Sequence, residues 1–318
     1  MARERSKRRD IAQEITDKII ERIETSDGTL PWRKPWKSKA IAHPCRHEGI
    51  GYRGINHLIL SLEAFAQGFS SPYWMTFKQS KEYGGSVIKG QKASHVVYFG
   101  TVDKRDADSG GGGDTGKGAS DGDGDGGVYR FLKGYAVFNA SQIEGLPERF
   151  HPSEEELDTG SRPIPELDAF FDKLPVSVVN GGEGACYREI TDDILMPDIS
   201  RFDDPERYYA TLAHEHVHSC GIKDRLGREC FARYHADIKA RAEEELVAEL
   251  GAAFISAELG LTPDHLDDHA AYLSSWLKSL KSDKRYIFRA AADAQRAADW
   301  VFDAAGLAVT GKEAARAA

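Results

Sequence analysis

Ile11, Ile15, Ile19 and Ile23 recur every fourth residue between charged positions, the period of an amphipathic helix. The stretch that follows, LPWRKPWKSKAIAHPC, cannot be helical throughout, because Pro31 and Pro35 remove backbone donors and clash with the preceding turn. Ile55, Leu58, Ile59, Leu62 and Phe65 predict a second helix between Tyr52 and Phe69, and a shorter third covers Thr76 to Tyr83. The segments SHVVYFGTV and VYRFLKGYAVF are dense in β-branched and aromatic residues and predict paired strands. Further on, PELDAFFDKL predicts a helix and VSVVN a strand, and residues 205–305 read as mainly helical and rich in Ala.

Between the paired strands lies DADSGGGGDTGKGASDGDGDGG, residues 106–127, with ten glycines in 22 positions. It holds no apolar residue to anchor a core and predicts a flexible hairpin loop. Its GGGDTGKG imitates a phosphate loop, but Gly118 stands where the magnesium-binding Ser or Thr belongs. Asp121, Asp123, Asp125 and Gly126 open like a calcium loop, yet Leu132 occupies the place of the bidentate Glu. Residues 151–165 are acidic and Pro-containing, and read as a linker between two domains, 1–150 and 166–318. The fold class expected is α+β, a small α+β domain followed by a mainly helical one.

Composition narrows the function. Cys45, Cys186, Cys220 and Cys230 form no CxxC pair, which points away from a disulfide scaffold and toward a reducing, cytoplasmic setting. No stretch approaches the roughly 20 apolar residues of a membrane helix, so no membrane partner is expected. The net charge of -9 divides unevenly: residues 1–100 carry +7 and the remainder -16. A basic amino-terminal part suits nucleic acid.

The strongest local signal is YYATLAHEHVHSCG. Within its HExxH pattern His214 and His218 lie four apart and leave one face of a helix, so both can grip a single metal ion. Glu215 follows the first of them, placed to take a proton from water that zinc acidifies. Two third ligands compete. Asp224 fits an Asp form of the metzincin pattern, but that class needs a Met-turn downstream and Met1, Met75 and Met196 all lie upstream. Glu245, on AEEELVAELGAAFISAELG, gives the gluzincin arrangement, with Glu249 one turn on as the group that orients a ligand His; the two could be exchanged. Glu244, a step of about 100° round the helix, is expected to point elsewhere. His216 is read as a surface residue on the opposite face. His269 and Tyr272 are candidates to face an oxyanion in the cleft, or simply to pack a helix.

In the basic part, aromatics interleave with cations: Trp32, Arg33, Trp36 and Lys37, then Tyr52, Arg53, Tyr73, Trp74, Lys78, Lys89 and Lys92, with Tyr98 and Phe99 beyond. Single strands bind by stacking bases on exposed rings while cations follow the backbone. No signature of duplex readout accompanies them.

The two halves together resemble the ArdC-type antirestriction proteins, whose amino-terminal module also occurs in TraC-type plasmid primases. The matching stretches are GYRGINHLIL, SPYWMTFKQSKEYGGSVIKGQKASHVVYF and YAVFNASQIEGLPERF, then YYATLAHEHVHSCG with RLGRE, EEELVAELGAAF and HAAYLSSWLKSLKSDKRYIFRAAADAQRAADW. The resemblance implies a single-stranded-DNA-binding domain followed by a zincin-like metallopeptidase domain. Carried over by position, His214, His218 and Glu245 are metal ligands and Glu215 is the general base. The chain departs from the family at Ser219-Cys220, commonly Trp-Thr, and at Arg241, often Tyr. The function implied is protection of incoming plasmid DNA from host restriction. It would use Zn2+, or another divalent ion such as Mn2+, and a host restriction protein as substrate. The alternatives are a non-enzymatic DNA-binding decoy with a structural or vestigial metal, and an accessory to priming.

Overall fold

The computed structural model describes residues 10–25, 43–103, 128–152, 164–202, 204–261 and 270–307. The segment bearing Trp32, Arg33, Trp36 and Lys37, the glycine-rich tract and His269 lie outside these residues.

Helix α1 (Ile11–Thr25) has the four-residue apolar period, and Ile15, Thr16, Ile19, Ile20 and Ile23 are buried. Asp10 Oδ1 accepts from the backbone N–H of Gln13 at 3.0 Å, which satisfies one of the first-turn donors. After β1 (Cys45–Arg46) comes α2 (Ile55–Gln67), then β2 (Tyr73–Met75) and α3 (Phe77–Glu82). Thr76 starts α3 through a capping box with Gln79. A two-residue strand β3 (Ser86–Val87) precedes the long β4 (Ser94–Asp103) and β5 (Val128–Asn139), and β6 (Ile143–Glu144) closes on β3. The main sheet has the order β1-β2-β5-β4, with β4 and β5 antiparallel from Ser94↔Val137 to Asp103↔Val128. The outer edge of β4 is protected by α2: the Asn56 side chain donates to Val97 O at 2.7 Å and accepts from Val97 N at 2.8 Å.

The second half begins with α4 (Ile164–Phe171) and a three-stranded sheet, β7 (Ser177–Asn180), β8 (Cys186–Arg188) and β9 (Asp193–Met196). Its order is β7-β9-β8, with β7 and β9 parallel and β8 antiparallel at one edge. Among the described residues five helices follow: α5 (Pro205–Ser219), α6 (Glu229–Ala232), α7 (Ile238–Leu259), α8 (Ala270–Ser282) and α9 (Tyr286–Ala304). Asp204 and Asp237 cap α5 and α7 at their starts, and Gly260 ends α7 in the left-handed region at φ 71°. No described helix is long and apolar enough to cross a membrane.

One core joins the two halves. Ile15, Ile19 and Ile23 of α1 and Ile55, Leu58 and Leu62 of α2 belong to the same buried cluster as Leu246, Trp276, Ile287 and Val301. Thr16 Oγ1 donates to the Lys284 carbonyl at 2.8 Å, and the Gly54 N–H donates to Gln295 Oε1 at 2.8 Å. Arg53 pairs with Asp299 across the same seam. The architecture is therefore an α+β unit and a mainly helical unit, with α1 packed against α8.

Candidate metal centre

Helix α5 is buried from Tyr208 through its last residue, Ser219, so it runs through the core and has no solvent face there. It carries His214 and His218 one turn apart, with ring centroids 4.7 Å apart and the two Nε2 atoms separated by 3.0 Å. Helix α7 crosses it closely. Gly251 permits this, because a Cβ at that position would lie 2.7 Å from Val217 Cγ2. The crossing brings Glu245 Oε2 to 3.5 Å from His214 Nε2 and 3.8 Å from His218 Nε2. One donor atom from each of these three buried residues lies within 4.8 Å of the others.

The outer partners fix the rings. Glu249 Oε1 is 3.4 Å from His214 Nδ1, and Glu244 Oε1 is 3.2 Å from His218 Nδ1. With each Nδ1 turned to a carboxylate, the neutral tautomer of each ring presents an Nε2 lone pair to the other ring and to Glu245. Such a set repels itself unless a positive charge sits between, and two imidazoles with one carboxylate form a three-ligand site of the kind that holds a divalent ion. The His214 pKa reports the same field. Burial lowers it, but the adjacent carboxylates of Glu245 and Glu249 outweigh burial and lift it to about 10. Burial also raises Glu245, yet the neighbouring His214 and His218 hold it down at about 2.

Glu244 corrects the expectation that it points away. It is fully buried and clamped by Arg228, whose Nε donates to Glu244 Oε2 at 2.9 Å and whose Nη2 donates to Oε1 and to the Val217 carbonyl. Cys230 Sγ lies 3.0 Å from Glu244 Oε2 as well. The 100° step from Glu245 directs Glu244 to the rear of the His218 ring, so consecutive glutamates reach opposite nitrogens of one imidazole. Tyr234 donates its hydroxyl to Glu245 Oε1, and the Arg241 guanidinium lies 5.0 Å from the centre of the Tyr234 ring. Tyr234 and Arg228 carry no metal-ligand spacing of their own; Arg228 lies within the RLGRE family match, and no match contains Tyr234.

Glu215 is 7% exposed, and its Oε2 accepts the backbone N–H of Tyr187, on edge strand β8, at 2.8 Å. That bond fixes the carboxylate beside the three converging groups. Asp224 is exposed and stands apart from the cluster. Tyr272 is half-buried and stacks on Trp276, near Tyr234 and Arg241, so it borders the site through intermediaries.

His216 is not a surface residue. It is fully buried, stacks on Phe171 at 5.4 Å, and has no hydrogen-bond partner at either nitrogen among the described residues. Desolvation, with the Arg225 charge adding to it, pushes its pKa down to about 3. The expectation assumed a two-faced helix, and α5 is enclosed on all sides.

The nucleic-acid candidates divide. Trp74 is 1% exposed and Tyr52 8%, both packed with Leu60, Ala64, Val96 and Val137, so neither ring can receive a base without unfolding the core. Arg53 is committed to Asp299, and Tyr73 is half-buried against Phe150 at 5.3 Å. Lys78, Lys89 and Lys92 are exposed.

Residues 9–138 match the N-terminal domain of anti-restriction factor ArdC, and residues 165–293 match the zincin-like metallopeptidase domain. The chain is 36% identical to the uncharacterized protein y4eC of Sinorhizobium fredii, over 92% of this chain and 91% of that one. It is 33% identical to a DNA primase TraC of Escherichia coli over 90% of its own length, but spans only 19% of that primase. Among solved structures, the antirestriction protein ArdC of plasmid R388 in its metal-free form is 45% identical with a TM-score of 0.76, over 94% of this chain and 98% of that one. Its Mn(II)-bound form is 43% identical with a TM-score of 0.73, over 93% and 98%. With such coverage of both halves, the chain belongs to the ArdC antirestriction family, an ArdC-type N-terminal domain followed by a zincin-like domain.

Proposed function

We propose that this chain counters restriction of incoming DNA, binding single strands with its N-terminal domain and hydrolysing a peptide bond with its zincin-like domain. The observation that carries the hydrolytic part is the convergence of His214, His218 and Glu245 with Glu215 beside them. His214, His218 and Glu245 would hold the ion, and two imidazoles with a carboxylate suit zinc, although the plasmid R388 relative accepts Mn(II). When bound, the ion supplies a Lewis acid that acidifies water and polarises a carbonyl. Glu215 takes the proton from the attacking water and returns it to the leaving amine. The Tyr187 N–H on Oε2 holds the carboxylate in place for that transfer. Glu249 and Glu244 keep the two rings in the tautomer that binds metal. A component of the host restriction system is the substrate this reading calls for.

A second reading is supported by burial. His214, Glu215, His218 and Glu245 are each less than 8% exposed, as in a closed structural site, and the protein would then act as a non-enzymatic DNA-binding decoy. Two measurements decide. Elemental analysis of wild type, His218→Ala and Glu245→Ala is expected to give about one zinc per wild-type chain and little in either variant. Plasmid protection in a restricting host is expected to fail with Glu215→Gln. Full protection by that variant, with metal retained, would establish the decoy instead.

A further inference from the structure

The burial of Tyr52 and Trp74 leaves open where a single strand would lie, and the β4–β5 hairpin answers it. Opposed residues in an antiparallel pair share a face, and the register sets Tyr98 opposite Lys133 and Val96 opposite Tyr135. Tyr98, Lys133 and Tyr135 therefore lie on one face, while Phe99 and Leu132 lie on the other, where Phe99 meets Phe288 of α9. Further along the first face Val96 and Val137 are sealed in the core with Leu60, Ala64 and Trp74. The face then opens: Tyr135 is 39% exposed, and Tyr98 and Lys133 are half-exposed.

We infer that this patch, Tyr98, Lys133 and Tyr135, is the platform on which the bases of single-stranded DNA stack; the inference rests on the single-strand-binding function proposed above. Three observations carry it. Lys133 Nζ stands 5.2 Å from the centre of the Tyr135 ring and makes no ion pair with a carboxylate among the described residues, so it can meet a phosphate beside a stacked base. No described side chain on this face from Ser94 to Tyr98 or from Lys133 to Val137 is acidic, so nothing there repels a polyanion. Diagonal neighbours on a sheet face lie about 7–8 Å apart, which sets Tyr98 and Tyr135 to take two bases of one strand. Base faces are open in a single strand and closed by stacking in a duplex, so the patch selects the former. The sheet supplies rigidity: β5 lies inside the sheet, and Asn56 pins β4 at its outer edge.

The test is fluorescence anisotropy of a labelled 20-mer of thymidine with the full chain, at two salt concentrations. Tyr98→Ala and Tyr135→Ala are each expected to weaken binding by about 5- to 150-fold, the effect of losing one base stack. Tyr98→Phe and Tyr135→Phe keep the ring and are expected to stay within about threefold of wild type. Lys133→Ala is expected to reduce the slope of log affinity against log salt by about one. Phe99→Ala, on the opposite face, is expected to leave affinity unchanged. Circular dichroism and thermal unfolding identify any variant whose loss is a folding defect, and the phenylalanine pair then carries the comparison. Wild-type binding retained in full by a folded Tyr98→Ala/Tyr135→Ala double variant would overturn the placement alone. Failure of the wild type to bind the oligonucleotide, or equal binding of duplex, would overturn the single-strand reading along with it.

Discussion

Replacing Gly251 by Ala should damage the metal centre from a distance. The added Cβ would lie 2.7 Å from Val217 Cγ2 and 3.0 Å from Cγ1, against the roughly 3.5–4.0 Å at which carbon atoms rest. Val217 is fully buried and β-branched, held in essentially one rotamer on its helix, so it cannot swing aside. The relief must come from α5 and α7 parting by about 1 Å. Overpacking of this kind costs about 1–3 kcal/mol, and Ala recovers at most ~1 kcal/mol of helix propensity over Gly, for a net loss of about 0–2 kcal/mol. The larger effect falls on the ligands. Glu245 rides on α7 and the histidines on α5, so a gap of 3.5–3.8 Å widens by a comparable amount. Zinc affinity, measured by competition with a chromophoric chelator, is expected to fall at least tenfold, while urea unfolding of the metal-free protein shifts only modestly. Val217→Ala in the same chain makes room for the new methyl and should restore much of the affinity. Wild-type affinity in Gly251→Ala would refute the claim that this contact sets the spacing of the site.

Other outcomes follow from the same geometry. Chelation of the metal-loaded protein should lower the unfolding temperature, by an amount that grows with metal concentration in the reference sample, as binding to the native state alone requires; an unchanged temperature would show that the three groups bind nothing tightly. Glu244→Gln keeps the shape but leaves Arg228 buried without its anion, and should cost about 3–5 kcal/mol of stability and ten- to a hundredfold in metal affinity. A variant as stable as wild type in urea would count against that pairing. His43, His57 and His216 are held below their ordinary range chiefly by burial, His43 at about 4. Each binds fewer protons folded than unfolded as pH falls below 6.5, so their contribution is whole above pH 6.5 and is lost toward pH 4. The loss is up to about 1.4 kcal/mol per pH unit for each histidine. Urea midpoints measured from pH 7.5 to 4.5 check this, and His216→Phe should flatten the curve.

Much of the site can be read from the chain because metal ligation imposes spacing. Two histidines four apart and a glutamate on a later helix are constraints that a sequence displays. The first helix and the two long strands are equally visible, the one through its apolar period of four and the others through their density of β-branched and aromatic residues. What escapes is whatever depends on which side of an element faces the core. His216 reads as surface because polar residues usually lie there, yet a helix enclosed on every side has no polar face. Trp74 and Tyr52 read as stacking rings because cations flank them, but the flanking charge says nothing of ring direction. Tyr135 and Lys133 carry no cue until the strand register sets them beside Tyr98. Glu244, Glu245 and Glu249 differ only by rotation about α7, and their separate tasks emerge where α5 crosses.

The position of α1 among the closing helices has a consequence for how the chain is made. Its isoleucine stripe leaves the ribosome well before part of what covers it, α8 and the Lys284 carbonyl, which lie on the order of 250 residues further along the chain. At about 5–20 residues per second the stripe waits tens of seconds for its partners. The two halves therefore cannot complete their folding in turn. A nascent chain cut short between α1 and α8 carries an apolar helix without its full cover, a feature by which chaperones and proteases can distinguish an unfinished molecule from a finished one.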